Sequence, residues 1–172
     1  MIEPEPETAT YGVVSVSPDQ TIRLGRLLGE ILPPGSFVAL VGGLGAGKTL
    51  LPKGLAGGLG VEDEGEVSSP TFVLVGVYRT APGRPPLYHL DLYRISGPQE
   101  ALDFGLEDYL YGEGVVAIEW AERIREILPP EYLWITFRHL DATKRGLVMQ
   151  PKGARYEALV ADLMRDIYGG KD

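Results

Sequence analysis

The run Gly42-Gly43-Leu44-Gly45-Ala46-Gly47-Lys48-Thr49 fits the spacing G-x-x-x-x-G-K-[ST] without a mismatch. The spacing has a chemical reason. Glycines let the backbone curl so that successive N–H groups point inward at one anion. A helix opening directly after the loop adds its free N–H groups and the positive end of its dipole. A lysine at position 48 sets a cation on the outer phosphates, and a hydroxyl at position 49 is a magnesium ligand. The pattern predicts a loop that holds the phosphates of ATP together with Mg2+. Its nucleotide-binding residues are Gly42, Gly43, Leu44, Gly45, Ala46, Gly47, Lys48, Thr49 and the adjoining Leu50. No [NT]-K-x-D guanine-reading motif accompanies it, since Asp141-Ala142-Thr143-Lys144 has the wrong order, and this favours adenine.

Such a loop needs an acid beside the magnesium, usually delivered by a neighbouring strand. Two acids follow short apolar runs: Asp91 after Leu87-Tyr88-His89-Leu90, and Glu119 after Val115-Val116-Ala117-Ile118. In open α/β sheets ligands bind beyond the carboxyl ends of the strands, so both qualify. The residues alone leave open which acid holds the metal and which orients an attacking water. Ser68-Ser69-Pro70-Thr71 precedes another strand. Read alone it is a turn with satisfied hydroxyls; the sharper alternative has Thr71 sensing the γ-phosphate through the ion, as switch loops do. His89 reads as a positioned structural histidine and His139 as structural or exposed, while Arg94 and Arg123 read as partners in surface ion pairs.

The elements that must position these groups follow from pattern. Tyr11 to Val16 reads as a strand. Ser17-Pro18-Asp19-Gln20 is a helix start with a capping serine, proline in the first turn and a capping box closed by Gln20. Ile22, Leu24, Leu27, Leu28 and Ile31 give that helix its apolar face, and Pro33-Pro34-Gly35 ends it. Ser36 to Val41 is a nearly continuous apolar run, expected of a buried strand. A helix from about Lys48 to Leu59 comes next, with Pro52 predicting a local kink. Strands are expected at 72–78, 87–90 and 115–118, and helices at 99–110 (broken near Gly105) and 121–128. A hairpin at 132–140 and 147–150 and a closing helix at 154–168 complete the chain. Alternating strands and helices in the middle, with paired strands at the ends, predict an α/β fold: a three-layer P-loop domain with a mixed sheet flanked by helices.

Composition bounds the rest. The 172 residues suit one domain, with residues 1–10 an acidic, proline-rich leader unlike a secretory signal. Without cysteine there is no disulfide and no thiolate zinc site, which fits a cytoplasmic protein. No apolar run is long enough for a membrane span. A net charge of -8 argues against direct grip on nucleic acid, which takes a basic face. Any link to RNA is expected to run through a partner.

Four segments, taken in order, carry a specific resemblance: Gly42 to Thr49, Ser69-Pro70-Thr71-Phe72, His89-Leu90-Asp91-Leu92-Tyr93-Arg94 and Ile118-Glu119-Trp120. From about Tyr11 to Gln150 the chain resembles the TsaE family, small P-loop ATPases of bacterial tRNA threonylcarbamoyladenosine biosynthesis. The resemblance implies that Thr49 and Glu119 hold Mg2+. It implies that Asp91 is the acid needed for hydrolysis, acting with Lys48 and a switch-like Thr71, and that Trp120 lies near the nucleotide. It extends to a base pocket drawing on the segment near Ser17 and on Arg145. The implied partner is a TsaB–TsaD complex, which modifies the adenosine beside the anticodon and is supported by ATP hydrolysis; tRNA is touched only indirectly. Two departures stand out: Gly43 replaces an acid common in the family, and Leu50-Leu51-Pro52 a more polar stretch.

Two other classes of function compete. A small-molecule kinase would show an arginine-rich lid, against which the 80s loop offers only Arg79 and Arg84. A binding module would use the nucleotide to hold a surface in shape, with negligible turnover.

Overall fold

The computed structural model describes residues 8–70 and 74–169. The expected Thr71, the first residues of the 72–78 strand and most of the leader lie outside them.

Seven strands form one sheet in the order β1-β7-β6-β2-β5-β4-β3. They are β1 Tyr11–Ser15, β2 Phe37–Val41, β3 Val75–Tyr78, β4 Leu87–Asp91, β5 Val115–Glu119, β6 Tyr132–His139 and β7 Arg145–Lys152. The four middle strands β6, β2, β5 and β4 run parallel, whereas β1, β7 and β3 add antiparallel edges. Strand β2 therefore lies at the centre, and its residues Phe37 to Leu40 are buried on both faces.

Alternation along β2 separates two cores. Val38 and Leu40 face helices α1 (Pro18–Ile31), α2 (Leu50–Leu59) and α5 (Ala154–Tyr168), packing with Leu28, Leu51, Leu55 and Tyr156. Phe37 and Ala39 face the short helices α3 (Pro98–Asp103) and α4 (Leu106–Leu110) and a 3-10 segment at Ala121–Ile127, packing with Leu106, Ile118 and Ile124. The same alternation assigns Leu87, His89 and Asp91 of β4, and Val115, Ala117 and Glu119 of β5, to the α1–α2 side, because successive strand residues point to opposite faces.

The start of α1 is built as the sequence predicts. The Gln20 N–H donates to the Ser17 hydroxyl at 3.2 Å, and Gln20 returns its side-chain oxygen to the Val16 N–H at 2.9 Å. Gly105, with φ +88, divides α3 from α4 where a break is expected.

Three expectations are corrected. Helix α2 begins at Leu50, two residues late, because Leu50 and Leu51 N–H donate to Gly47 and Lys48 carbonyls in a tighter 3-10 turn. Pro52 makes no break: in the first turn of α2 it lacks only an N–H that has no intrahelical acceptor. Residues 121–127 form 3-10 turns kinked at Ile124, not an α-helix.

Helices α1 and α2 meet without side chains between them. A Cβ placed on Gly54 would lie on the Ile22 carbonyl oxygen and 2.9 Å from the Gly25 Cα, and one on Gly58 would lie 2.8 Å from the Gly29 Cα. Gly25 and Gly29 are one helical turn apart, as are Gly54 and Gly58, so the two backbones contact along a shared seam.

Candidate functional site

Strand β2 delivers the chain into the Gly42–Thr49 loop. At Gly42, φ is +156 and a Cβ would stand 2.8 Å from the Phe137 carbonyl oxygen of β6, so only glycine can leave the sheet there. Gly45 and Gly47 follow with φ of +74 and +93, the left-handed region that disfavours a side chain. The Ala46 N–H closes onto the Gly43 carbonyl at 3.1 Å. The N–H groups of Gly45, Gly47, Lys48 and Thr49 have no acceptor among the described residues. Four free donors on one curled segment at a helix start form an anion-binding concavity.

Lys48 is buried. Its ammonium donates to the Gly42 and Gly43 carbonyls at 2.7 and 2.8 Å and lies 4.2 Å from the centre of the Trp120 ring. Burial lowers its pKa from the usual lysine value, and the charges of Glu119, Glu122 and Asp91 oppose that shift.

The acids arrive by register. Asp91 pairs with Glu119 across β4 and β5, and Glu119 pairs with Leu40 across β5 and β2, so three parallel strands end together beneath the loop. The Thr49 hydroxyl lies 2.9 and 3.1 Å from the two Glu119 oxygens. Asp91 accepts the Ser69 hydroxyl on Oδ2 and the Tyr93 N–H on Oδ1, the latter at 2.9 Å. The residues left two acids open; the contacts separate them, with Glu119 on the loop hydroxyl and Asp91 on the Ser69 loop.

These groups line a cavity of about 430 Å³ formed by Leu44, Gly45, Ala46, Gly47, Lys48, Thr49, Ser69, Asp91, Tyr93, Glu119 and Trp120. A second cavity, of about 360 Å³ between β1, α1 and the end of α5, shares no lining residue with the first. Of the expected residues, Gly42, Gly43 and Leu50 shape the loop without lining the cavity. Arg145 opens β7 and donates to the Asp141 and Lys144 carbonyls at 2.8 and 3.0 Å. Its Nε is 4.0 Å from where a Gly47 Cβ would stand, so it flanks the loop from outside. Arg123 donates to the Ile95 carbonyl at 3.1 Å, and His139 is exposed.

Trp120 has φ +60, unusual for a bulky residue, and its ring is 5.2 Å from that of Tyr93. Tyr93 is a cavity residue that sequence reasoning passed over; its position two residues past Asp91 was the available signal. The buried contact between His89 and Glu119 was also missed.

The donor set suits the ion that the loop implies. Among the described residues no three His, Asp or Glu side chains converge as a metal cage. Magnesium is held by one or two protein oxygens together with phosphates and waters, and the meeting of Thr49 and Glu119 supplies oxygens of that kind.

A family model described as "Threonylcarbamoyl adenosine biosynthesis protein TsaE" matches residues 15–147. The chain belongs to the TsaE family. Proteins named tRNA threonylcarbamoyladenosine biosynthesis protein TsaE are similar to it over most of their length. The one from Bacillus subtilis is 40% identical over 151 residues, covering 88% of this chain and 92% of the relative. The one from Treponema pallidum is 45% identical over 136 residues, covering 79% and 97%. The crystal structure of Bacillus subtilis YdiB superposes with a TM-score of 0.77 at 32% identity, covering 95% of this chain and 99% of that one. The TsaE match contains all four segments on which the resemblance rests, and the P-loop-like α/β fold is that of the structural neighbour.

Proposed function

We propose that this chain binds ATP with Mg2+ and hydrolyses it in support of a TsaB–TsaD complex that forms threonylcarbamoyladenosine beside the anticodon of tRNA. The observation that carries the reading is the convergence of free loop N–H groups, Lys48 and the Thr49–Glu119 pair on one cavity.

In this reading the loop amides and Lys48 bind and orient the phosphates, and little covalent chemistry is asked of the protein. Thr49 and Glu119 hold magnesium, which when bound neutralises charge on the outer phosphate oxygens. Asp91, fixed by Ser69 and Tyr93, accepts a hydrogen bond from the attacking water and orients it. Trp120 and Tyr93 wall the cavity. The pathway role rests on family membership and on the names of the relatives. The net charge of -8 supports a route to tRNA through partners instead of direct binding.

The test is phosphate release by the protein alone and with the TsaB–TsaD pair, beside a pull-down with and without ATP. Stimulated release and ATP-dependent capture are expected. Lys48→Ala is expected to abolish binding of a fluorescent ATP analogue, and Glu119→Ala to weaken the magnesium dependence. Full hydrolysis by the Lys48 variant sinks the assigned site. Binding without turnover in either condition leaves a nucleotide-stabilised module.

A further inference from the structure

His89 is fully buried, in the middle of β4, and is not itself among the residues that line the cavity. Its Nε2 is nevertheless 2.6 Å from Glu119 Oε2. The register explains how they meet. His89 stands opposite Ala117, whose methyl group leaves room on the shared face, and Glu119 is the diagonal neighbour two residues on. Nδ1 has no hydrogen-bond partner among the described residues. The ring therefore has one polar engagement, and it is with the carboxylate that also meets Thr49.

A buried imidazole with one nitrogen unsatisfied is an expensive way to fill a core position that leucine could occupy. A Glu side chain has three rotatable bonds, and a carboxylate that must present its oxygens to an ion gains from a fixed donor behind it. We infer that His89 is a positioning residue for magnesium: its Nε2–H anchors Glu119 Oε2 from inside the sheet and aims the carboxylate at the Thr49 side of the cavity. The inference rests on the proposed Mg–ATP reading and adds the group that sets its metal affinity.

The experiment titrates MgCl2 into the protein with a fluorescent ADP analogue and compares each midpoint with binding in EDTA. His89→Leu is expected to raise the Mg2+ midpoint about tenfold, the lower end of what loss of an outer-shell partner costs. Affinity in EDTA should stay within about twofold, because the loop donors are untouched. His89→Gln, which can restore an N–H toward Glu119, is expected to recover most of the loss. In a Glu119→Ala background the His89→Leu shift should disappear. An unchanged midpoint in His89→Leu, or an equal shift with and without Glu119, overturns the inference while the nucleotide reading stands. Absence of any nucleotide binding by the parent protein overturns both. Should His89→Leu not fold, His89→Asn carries the test, since its shorter amide leaves Oε2 without the donor.

Discussion

Glycine is used in two opposite ways within the stretch from α1 to the end of α2. In the loop, a Cβ on Gly43 or Gly45 would meet nothing within 4 Å, and what Gly45 supplies is a φ of +74. In the α1–α2 seam the dihedrals are helical and the space is what matters: a Cβ on Gly29 would stand 2.5 Å from the Leu55 carbonyl oxygen. The loop glycines keep a surface open for a ligand, and the seam glycines close one against a neighbour. Identical residues therefore predict opposite phenotypes.

The largest separation is expected from Gly54→Ala. Its new methyl group meets backbone on α1, which cannot rotate away, so the cost should be about 3 kcal/mol. Thermal unfolding should then fall by roughly 10 °C, while nucleotide affinity measured well below the transition stays near the parent value. A loss of affinity with no loss of stability would reverse the assignment of this glycine. Gly45→Ala should do the reverse: about 1 kcal/mol for forcing alanine to positive φ, and at least a tenfold rise in the Kd of a fluorescent ADP analogue in a binding titration. Equal damage to both quantities at both sites would erase the contrast.

Lys48→Met sharpens the comparison from the side of charge. The folded protein holds this lysine below its ordinary pKa of 10.5, chiefly by burial. Between the lowered value and the ordinary one the unfolded chain keeps a proton that the folded chain has released, so stability rises with pH across that window. Lys48→Met should remove that rise in denaturant unfolding followed from neutral to alkaline pH. It should also leave stability at neutral pH no lower than the parent's, although binding is lost. The smallest effect is expected at Gly12, which has neither crowding nor a positive φ and lies in β1 opposite Val148. Gly12→Thr should raise stability by about 0.5 kcal/mol through strand propensity, read from the midpoint of urea unfolding, with binding unchanged.

Legibility from sequence followed the range of the interactions. The Gly42–Thr49 loop, the Ser17 cap and the break at Gly105 are local, and their residues announce them. The strand-end placement of Asp91 and Glu119 was also readable, because an apolar run that stops at an acid marks where a buried strand meets solvent. The seam was not. Gly54, Gly57 and Gly58 lower the helix propensity of α2, and nothing local shows that α1 carries the matching Gly25 and Gly29. The pairing of His89 with Glu119 spans 30 residues and depends on which strands are neighbours. The segment after Trp120 misled for another reason: its apolar spacing suits an α-helix, but it follows a residue at φ +60 and passes a kink at Ile124.

The seam has a mechanical corollary. Helix α2 carries Thr49 at its head and is fused to α1 with no layer of flexible side chains to absorb slippage. Sliding of α2 along α1 would drive backbone into backbone at Gly25, Gly29, Gly54 and Gly58, so the seam favours movement of the two helices together. The position of the threonine hydroxyl is thereby tied to the packing of α1 as well as to its own helix.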